Sequence, residues 1–346
     1  MLYAGCDLHK QTITICIVNP MGQVILRRRL LCADEAGLRR FFEELGQREP
    51  FQVVVEATAS YEWFVRLVEP LAASVLLAHP KKLRVIAEST RKSDRLDAQV
   101  LAEFLAKDMI PTSYRPTTRQ HDHRRLVRQR DRIQRRLTSV KNRIRRVLSD
   151  YNADRKQLFT AEGLEYVQRV TLSAADRFAM EQFLEEYEFG RGQLRRSITR
   201  LREFAETATL REREQRALLR SIPGVGFVTT EVVLAELADI DRFTSQKQVV
   251  AYAGLSPGQR ESAGKRQELH LEKNGSKLLR WVMVEAAWRL VQHSQRWRTV
   301  YEKLRARLRA KKAIVAVARR LLTVITAILK SGKPYSYTHV LEQAPA

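Results

Sequence analysis

The chain has 346 residues, with 62 Lys or Arg against 39 Asp or Glu, a formal net charge of +23. That length supports two or three domains with real cores. No stretch approaches a membrane span and no signal-peptide pattern opens the chain, so a soluble cytoplasmic protein with no membrane partner is expected.

The charge is unevenly placed. Residues 1–100 carry 14 basic and 12 acidic side chains, a net +2, so the other +21 lies beyond them. A near-neutral head on a basic body points to a polyanion as partner, nucleic acid before an acidic membrane surface. Cys6, Cys16 and Cys32 lie in apolar runs of the head and read as reduced core thiols, not as a disulfide frame or zinc site.

Residues 2–8, 11–18 and 23–31 alternate or run apolar, with Asn19-Pro20-Met21-Gly22 as a turn, and predict an antiparallel three-stranded meander. Residues 34–46 predict a helix that buries Leu38, Phe41, Phe42 and Leu45. A strand at 51–55, a helix from Ser60 to Leu71, a strand at 74–78 and helices at 81–89 and 94–108 complete the head. The order βββαβαβα is that of a ribonuclease-H-like domain over residues 1–110. In that architecture acids at the ends of the first and fourth strands and on the last helix meet at one edge.

The acids stand where that architecture needs them. Asp7 and Glu56 follow apolar strand runs, and Asp94 and Asp97 are three apart at the opening of a helix, hence on one face. Four carboxylates from three elements suit two Mg²⁺ ions, since hard cations take oxygen ligands and neighbouring anions are tolerable around positive charge. The alternative for the helix pair is capping, with Ser93 or Asp94 at the N-terminus and the macrodipole favouring acids there. Carboxylates at the ends of apolar strands have no such local use.

Pro111 and Pro116 mark the exit from the head, and residues 111–217 form a basic helical, coiled-coil-like segment. From Arg119 to Arg146 there are 12 Lys or Arg, opposed only by Asp122 and Asp131. Leu126, Ile133, Leu137, Val140, Ile144 and Val147 form a heptad-like seam on this helix. The i,i+4 pairs cannot balance so one-sided a charge, which makes Arg124, Arg125, Arg128, Arg132, Arg135 and Lys141 candidate phosphate contacts. A solvated spacer face, or a seam pairing two protomers, are the other readings. A second helical stretch is expected at 191–219, carrying Leu194, Ile198, Leu201, Phe204 and Leu218, after a helix-capable region at 160–190.

Residues 218–346 form a mostly α-helical C-terminal domain. Ile222-Pro223-Gly224-Val225-Gly226 before a helix from Thr229 has the form of a helix-hairpin-helix turn, in which Gly224 and Gly226 let backbone N–H groups approach a phosphate. A tight interhelical turn is the plainer reading. After a short helix at 245–253, residues 254–266 are rich in Gly, Pro and charge and predict a loop. There Ser262 lies among Arg260, Lys265 and Arg266, a setting open to a nucleophile or to an ordinary loop serine. Helices at 276–292, 295–310 and 312–330 carry Trp281, Trp288 and Trp297, which read as core residues.

Taken together, Gly5-Cys6-Asp7-Leu8-His9-Lys10, Val55-Glu56-Ala57-Thr58-Ala59-Ser60-Tyr61 and Lys92-Ser93-Asp94-Arg95-Leu96-Asp97-Ala98 in front resemble a known family. So do Ile222-Pro223-Gly224-Val225-Gly226, Ala253-Gly254-Leu255-Ser256-Pro257, Glu261-Ser262-Ala263-Gly264 and Asn274-Gly275-Ser276 behind. The chain is similar over nearly its whole length to the DEDD transposases of bacterial insertion sequences, which join a RuvC-like N-terminal domain to a C-terminal serine transposase domain.

The resemblance implies that Asp7, Glu56, Asp94 and Asp97 hold the metal and that Ser262 is the nucleophile of a recombinase. It also implies an element-encoded guide (bridge) RNA that pairs with target and donor DNA, and dimers assembling to a tetramer. Ala59 stands where the family pattern leads one to expect glycine, and Ala263 intervenes before Gly264. The competing functions are a RuvC-like structure-selective endonuclease that uses water, and a non-catalytic nucleic-acid scaffold.

Overall fold

The computed structural model describes residues 1–57, 61–86, 94–262, 265–271 and 275–336. It divides into two compact units, Met1–Arg115 and Pro116–Ala346. No described helix is long and apolar enough to cross a membrane.

The first unit is built on β1 (Leu2–Leu8), β2 (Thr12–Val18), β3 (Val24–Leu31), β4 (Phe51–Glu56) and β5 (Ser74–Ala78). Their order in the sheet is β3-β2-β1-β4-β5; β1, β2 and β3 pair antiparallel, and β1, β4 and β5 pair parallel. Helices α1 (Glu35–Arg48), α2 (Glu62–Val68), α3 (Pro80–Ile86) and α4 (Asp94–Ala106) complete the unit. The order is βββαβαβαα, the one read from the sequence with its closing α present as the two helices expected at 81–89 and 94–108. Boundaries differ mainly in α2, which is shorter than the span Ser60 to Leu71.

Period-two alternation divides the strands cleanly between two cores. Leu2, Ala4, Cys6 and Leu8 of β1, Ile13, Ile15 and Ile17 of β2, and Phe51, Val53 and Val55 of β4 join one core with Leu38 and Phe42 of α1 and Phe64 of α2. The intervening residues face the other way: Cys16 and Val18 pack with Ala98 and Ala102 of α4, and Val54 packs with Leu101 and Leu105. Gly5 is what lets α4 lie so close. A Cβ there would overlap the Ala98 carbonyl and the Ala102 nitrogen.

The second unit opens on α5 (Thr118–Asp150), which Thr117 and Gln120 start with a reciprocal capping box. Then follow α6 (Ala161–Arg169), α7 (Ala174–Glu206) and α8 (Leu210–Arg220). The expected single stretch at 191–219 is thus two helices. The break falls at Thr207-Ala208-Thr209, where Thr209 and Glu212 make a second capping box. Helices α5 and α7 run antiparallel, with Arg143 bonded to Glu186 and Tyr151 to Asp176.

The seam is covered within the chain. Leu137, Val140, Ile144 and Leu148 pack with Leu158, Val167, Met180 and Tyr187, while Val127 joins the main helical core. At the front of α5 the buried face is His123, Val127 and Asp131, so Leu126 is only partly buried.

The main core gathers α9 (Phe227–Leu237), α10 (Gln246–Tyr252), α11 (Lys277–His293), α12 (Gln295–Arg307) and α13 (Ala310–Ser331). Only Trp297 of the three C-terminal tryptophans is in it. Trp281 and Trp288 are 44% and 38% exposed, correcting the expectation of core residues, and Trp288 meets Tyr301 edge-on. The segment 254–266 is also corrected. It forms most of an antiparallel hairpin, β6 (Pro257–Ser262) and β7 (Lys265–Leu271), rather than a loop. Its glycine, proline and charge conceal the strands because no apolar face alternates along them.

Candidate active site

Asp7 and Glu56 come together through the sheet register. Strands β1 and β4 are parallel neighbours whose last matched pair is Cys6 with Val55. The next residues along are Asp7 and Glu56, so the two acids stand level on strands about 4.8 Å apart. Parity sets their direction: Cys6 and Val55 belong to the core under α1 and α2, so Asp7 and Glu56 face the α4 side. Both are half-buried.

Helix α4 begins at Asp94 and carries Asp97, which is exposed and adjoins Ala98 at the Gly5 contact, two residues before Asp7. The Asp94 side chain and Lys92-Ser93, the capping alternative, lie outside the described residues, as do Thr58-Ala59-Ser60. His9 Nε2 stands 3.0 Å from Asp7 Oδ2. Beneath the acids, burial above all, and then Asp7 and Cys16, push the Cys6 thiol far up, which keeps it an inert core thiol.

Among the described residues no group of three or more His, Cys, Asp or Glu side chains is set to hold a metal. The two strand acids nevertheless fit one: paired hard-oxygen donors facing one way gain from a cation between them and are mutually repulsive without it.

Ser262 ends β6, opposite Lys265 at the start of β7, and Arg260 and Arg266 are on the same hairpin, Arg260 opposite Gln267 and Arg266 opposite Glu261. Ala263 and Gly264 at its tip lie outside the described residues, as does Asn274. The foot of the hairpin is tightly bound. Ser276 N donates to Tyr252 O at 2.8 Å, and a Cβ on Gly275 would overlap the Tyr252 carbonyl and Gly254 nitrogen. Arg319 Nε of α13 donates to Leu255 O at 3.0 Å, and Arg280 Nη1 to Gly254 O at 3.4 Å.

The arginines of α5 have counterions that sequence spacing did not disclose. Arg128 makes a two-pronged pair with the fully buried Glu236 of α9, at 2.8 and 3.0 Å. Arg124 Nε donates to the Ala235 carbonyl at the end of α9. Arg143 and Arg145 pair with Glu186 and Asp154, and Arg135 with Asp131. Arg132 bonds Gln129, and Lys141 lies 4.8 Å from the Phe159 ring centroid. Arg125, on the same helix, is exposed. The charge on this helix is therefore offset both along its own length, by Asp131 and Asp150, and from outside it, by Asp154, Glu186, Glu212 and Glu236.

A buried ionic cluster joins the same helices. Glu231 of α9 is fully buried and accepts from Arg216 Nε and Nη2 at 2.8 and 2.9 Å, with His123 Nε2 at 2.8 Å. Burial alone would raise its carboxyl pKa, but the hydrogen bonds and charges of His123 and Arg216 hold it below the usual range. Arg119 adds a bidentate pair with Glu212 and lies 4.2 Å from the Phe204 ring, which stacks on His123. Spacing could not foretell this cluster, because its members are 15 to 108 residues apart.

At the turn before α9, Gly224 has φ +80, and a Cβ on it would press Arg289 of α11. Gly226 is the N-cap, with no side chain capping the helix and open space where its Cβ would be.

Two family models match this sequence. One, described as the DEDD transposase of IS110 type, covers residues 4–153; the other, the transposase IS116/IS110/IS902 family, covers residues 216–302. The transposase for insertion sequence element IS1111A of Coxiella burnetii is 26% identical, over 96% of this chain and 90% of its own. A probable family 20 transposase of Pseudomonas aeruginosa is 25% identical, over 82% of each chain. The transposase for insertion sequence element IS1328 of Yersinia enterocolitica is likewise 25% identical over 82% of each.

Proposed function

We propose, for what is a DEDD transposase of the IS110/IS116 family and hence an enzyme that cleaves and rejoins DNA, that Asp7, Glu56, Asp94 and Asp97 serve as its divalent-metal ligands and Ser262 as its nucleophile. The observation that carries this reading is the level, same-face placement of Asp7 and Glu56 on neighbouring strands beside the helix that bears the other two acids. The family implies dependence on a divalent metal. Two Mg²⁺ ions suit four carboxylates, and when bound they supply charge stabilisation for the attacking and leaving oxygens of a phosphodiester.

The chain's own residues do the rest. Ser262 Oγ attacks the scissile phosphorus, the P–O3′ bond breaks, and the serine proton ends on the departing 3′ oxygen. One phosphodiester becomes one phosphoserine ester, so the reverse step on an exchanged strand reseals DNA without another energy source. Arg260 and Lys265, at register positions of the same parity as Ser262, are suited to steady the phosphorane charge, whereas Arg266 is paired with Glu261 at the alternate position. An element-encoded guide RNA that chooses target and donor DNA, and assembly of dimers into a tetramer, complete the proposal; both follow from the family resemblance of the motifs.

The test is covalent capture on labelled DNA with the element's flanking RNA present. Wild-type protein should yield a denaturation-resistant protein–DNA adduct, and Ser262→Ala should yield none while binding nucleic acid normally. Adduct at wild-type yield from Ser262→Ala removes the serine from the role. Free cleaved ends without adduct from the wild type would point instead to water as nucleophile.

A further inference from the structure

A second feature of the helical unit has no place in the chemistry above. Arg202 and Ala205 of α7, Arg213, Arg216 and Arg220 of α8, and Gly226-Phe227 at the start of α9 line a groove of about 830 Å³. We propose that this groove binds one unpaired nucleotide of a polynucleotide strand, its phosphate over Gly226 and its base against Phe227. The proposal rests on the reading of the chain as a nucleic-acid enzyme and adds a strand-holding site to it.

Three independent properties converge here. The first-turn N–H groups of Phe227, Val228 and Thr229 precede any carbonyl they could bond within α9, and no side chain caps them. An anion placed there completes those bonds and meets the positive end of the helix dipole. The space a phosphate needs exists because residue 226 is glycine, with nothing within 4 Å of where a Cβ would be.

Charge is the second property. Arg216 is committed to Glu231, and Arg213 Nε donates to the Ala208 carbonyl. Arg202 and Arg220 form no ion pair among the described residues, and both are exposed. Among the described residues that line the groove, Glu206 is the one acid.

The third is the ring. Phe227 is half-buried, and the guanidinium carbons of Arg202 and Arg220 each stand 5.9 Å from its centroid. An exposed aromatic edge with two guanidinium planes beside it gives an unpaired base planar surface to stack against, next to the charges that hold its phosphate. In a duplex both faces of each base are already stacked, which is why the occupant is an unpaired nucleotide. The volume suits one nucleotide with water, not a folded partner.

Fluorescence anisotropy of the full chain with a fluorescein-labelled single-stranded DNA 12-mer, the RNA of the same sequence and the DNA duplex tests the site. Gly226→Asp is the diagnostic variant, since aspartate is a favoured N-cap and φ −90 at this position admits a side chain. It should keep or raise Tm yet weaken single-strand binding about tenfold, because its carboxylate occupies the phosphate position.

Phe227→Leu should weaken single-strand binding about tenfold and duplex binding about twofold or less. Arg202→Gln and Arg220→Gln should each lower the single-strand salt slope by about 0.7. A larger loss on RNA identifies a guide strand as occupant; a larger loss on DNA identifies a displaced DNA strand. Single-strand affinity unchanged in both Gly226→Asp and Phe227→Leu, or an equal loss on duplex, overturns the proposal. None of these readouts depends on Ser262 or the acids, so the site and the recombinase chemistry stand or fall separately.

Discussion

Asp7 and Glu56 are next-door neighbours across the β1–β4 ladder, one residue beyond the Cys6–Val55 pair, and both face the α4 side of the sheet. Two like charges so placed cost stability unless something positive lies between them. Asp7→Asn and Glu56→Gln should therefore abolish DNA cleavage while leaving the fold unharmed or more stable by up to about 1 kcal/mol. Adduct yield and Tm on the same preparations check this. A fall in Tm matching the loss of cleavage would show that the acids serve the fold.

Gly5 sets how closely α4 lies on β1. A methyl group there has no room against the Ala98 carbonyl and the Ala102 nitrogen, both backbone atoms that cannot swing aside. Gly5→Ala should cost about 1–3 kcal/mol, and Gly5→Val more. Because the displaced helix carries Asp94 and Asp97, cleavage should fall further than stability alone explains. Urea titration together with cleavage at a temperature where the variant is still folded separates the two effects.

The Glu231 cluster makes the helical unit sensitive to acid. Its folded-state carboxyl pKa lies below the ordinary 4.5, so the unfolded chain binds the proton more readily. The contribution is therefore present in full above pH 4.5 and is lost as pH falls through the lower folded value. Urea midpoints from pH 7 down to pH 3 should decline below about 4.5 in wild type, and less steeply in Glu231→Gln. At pH 7 that variant, which leaves the buried Arg216 with only the Glu212 carboxylate 3.7 Å away, should lose up to about 3 kcal/mol.

Thr209 starts α8 by accepting from Glu212 N, while the Glu212 side chain accepts from Thr209 N. Glu212 also accepts from Arg119. Thr209→Ala should cost about 1 kcal/mol, and Glu212→Ala more, because it also removes a carboxylate from Arg119. Comparing the two by thermal unfolding measures the cross-helix pair over the cap.

The head was largely legible because its strands alternate cleanly and turn residues punctuate them. Ile13, Ile15 and Ile17 mark one face of β2, and Asn19 accepts from the Met21 and Gln23 nitrogens at the turn. Asp7 and Glu56 stood out because each follows an apolar strand run. The break between α7 and α8 was also written in the chain, as Thr209-Leu210-Arg211-Glu212, but apolar spacing on both sides obscured it.

What periodicity could not convey is pairing across distance. Arg128 looks like a free phosphate ligand until Glu236, 108 residues on, is folded against it. The β6–β7 hairpin has too few apolar residues to read as strands, and its pairing shows only in the ladder from Pro257–Leu271 to Ser262–Lys265. Phe227 attracts no notice in a sequence; its meaning comes from Arg202 and Arg220 on two other helices.

Because Ser276 returns to the Tyr252 carbonyl, the polypeptide leaves the helical body and re-enters it at one spot, with Gly254 and Gly275 side by side. Strands β6 and β7 lie beyond that spot, while Leu255 stays buried in the core with Leu278, Leu279 and Val282. A hairpin so mounted should be exchangeable with a relative's by grafting residues 257–271 alone, leaving Leu255 and its bond from Arg319 in the socket untouched.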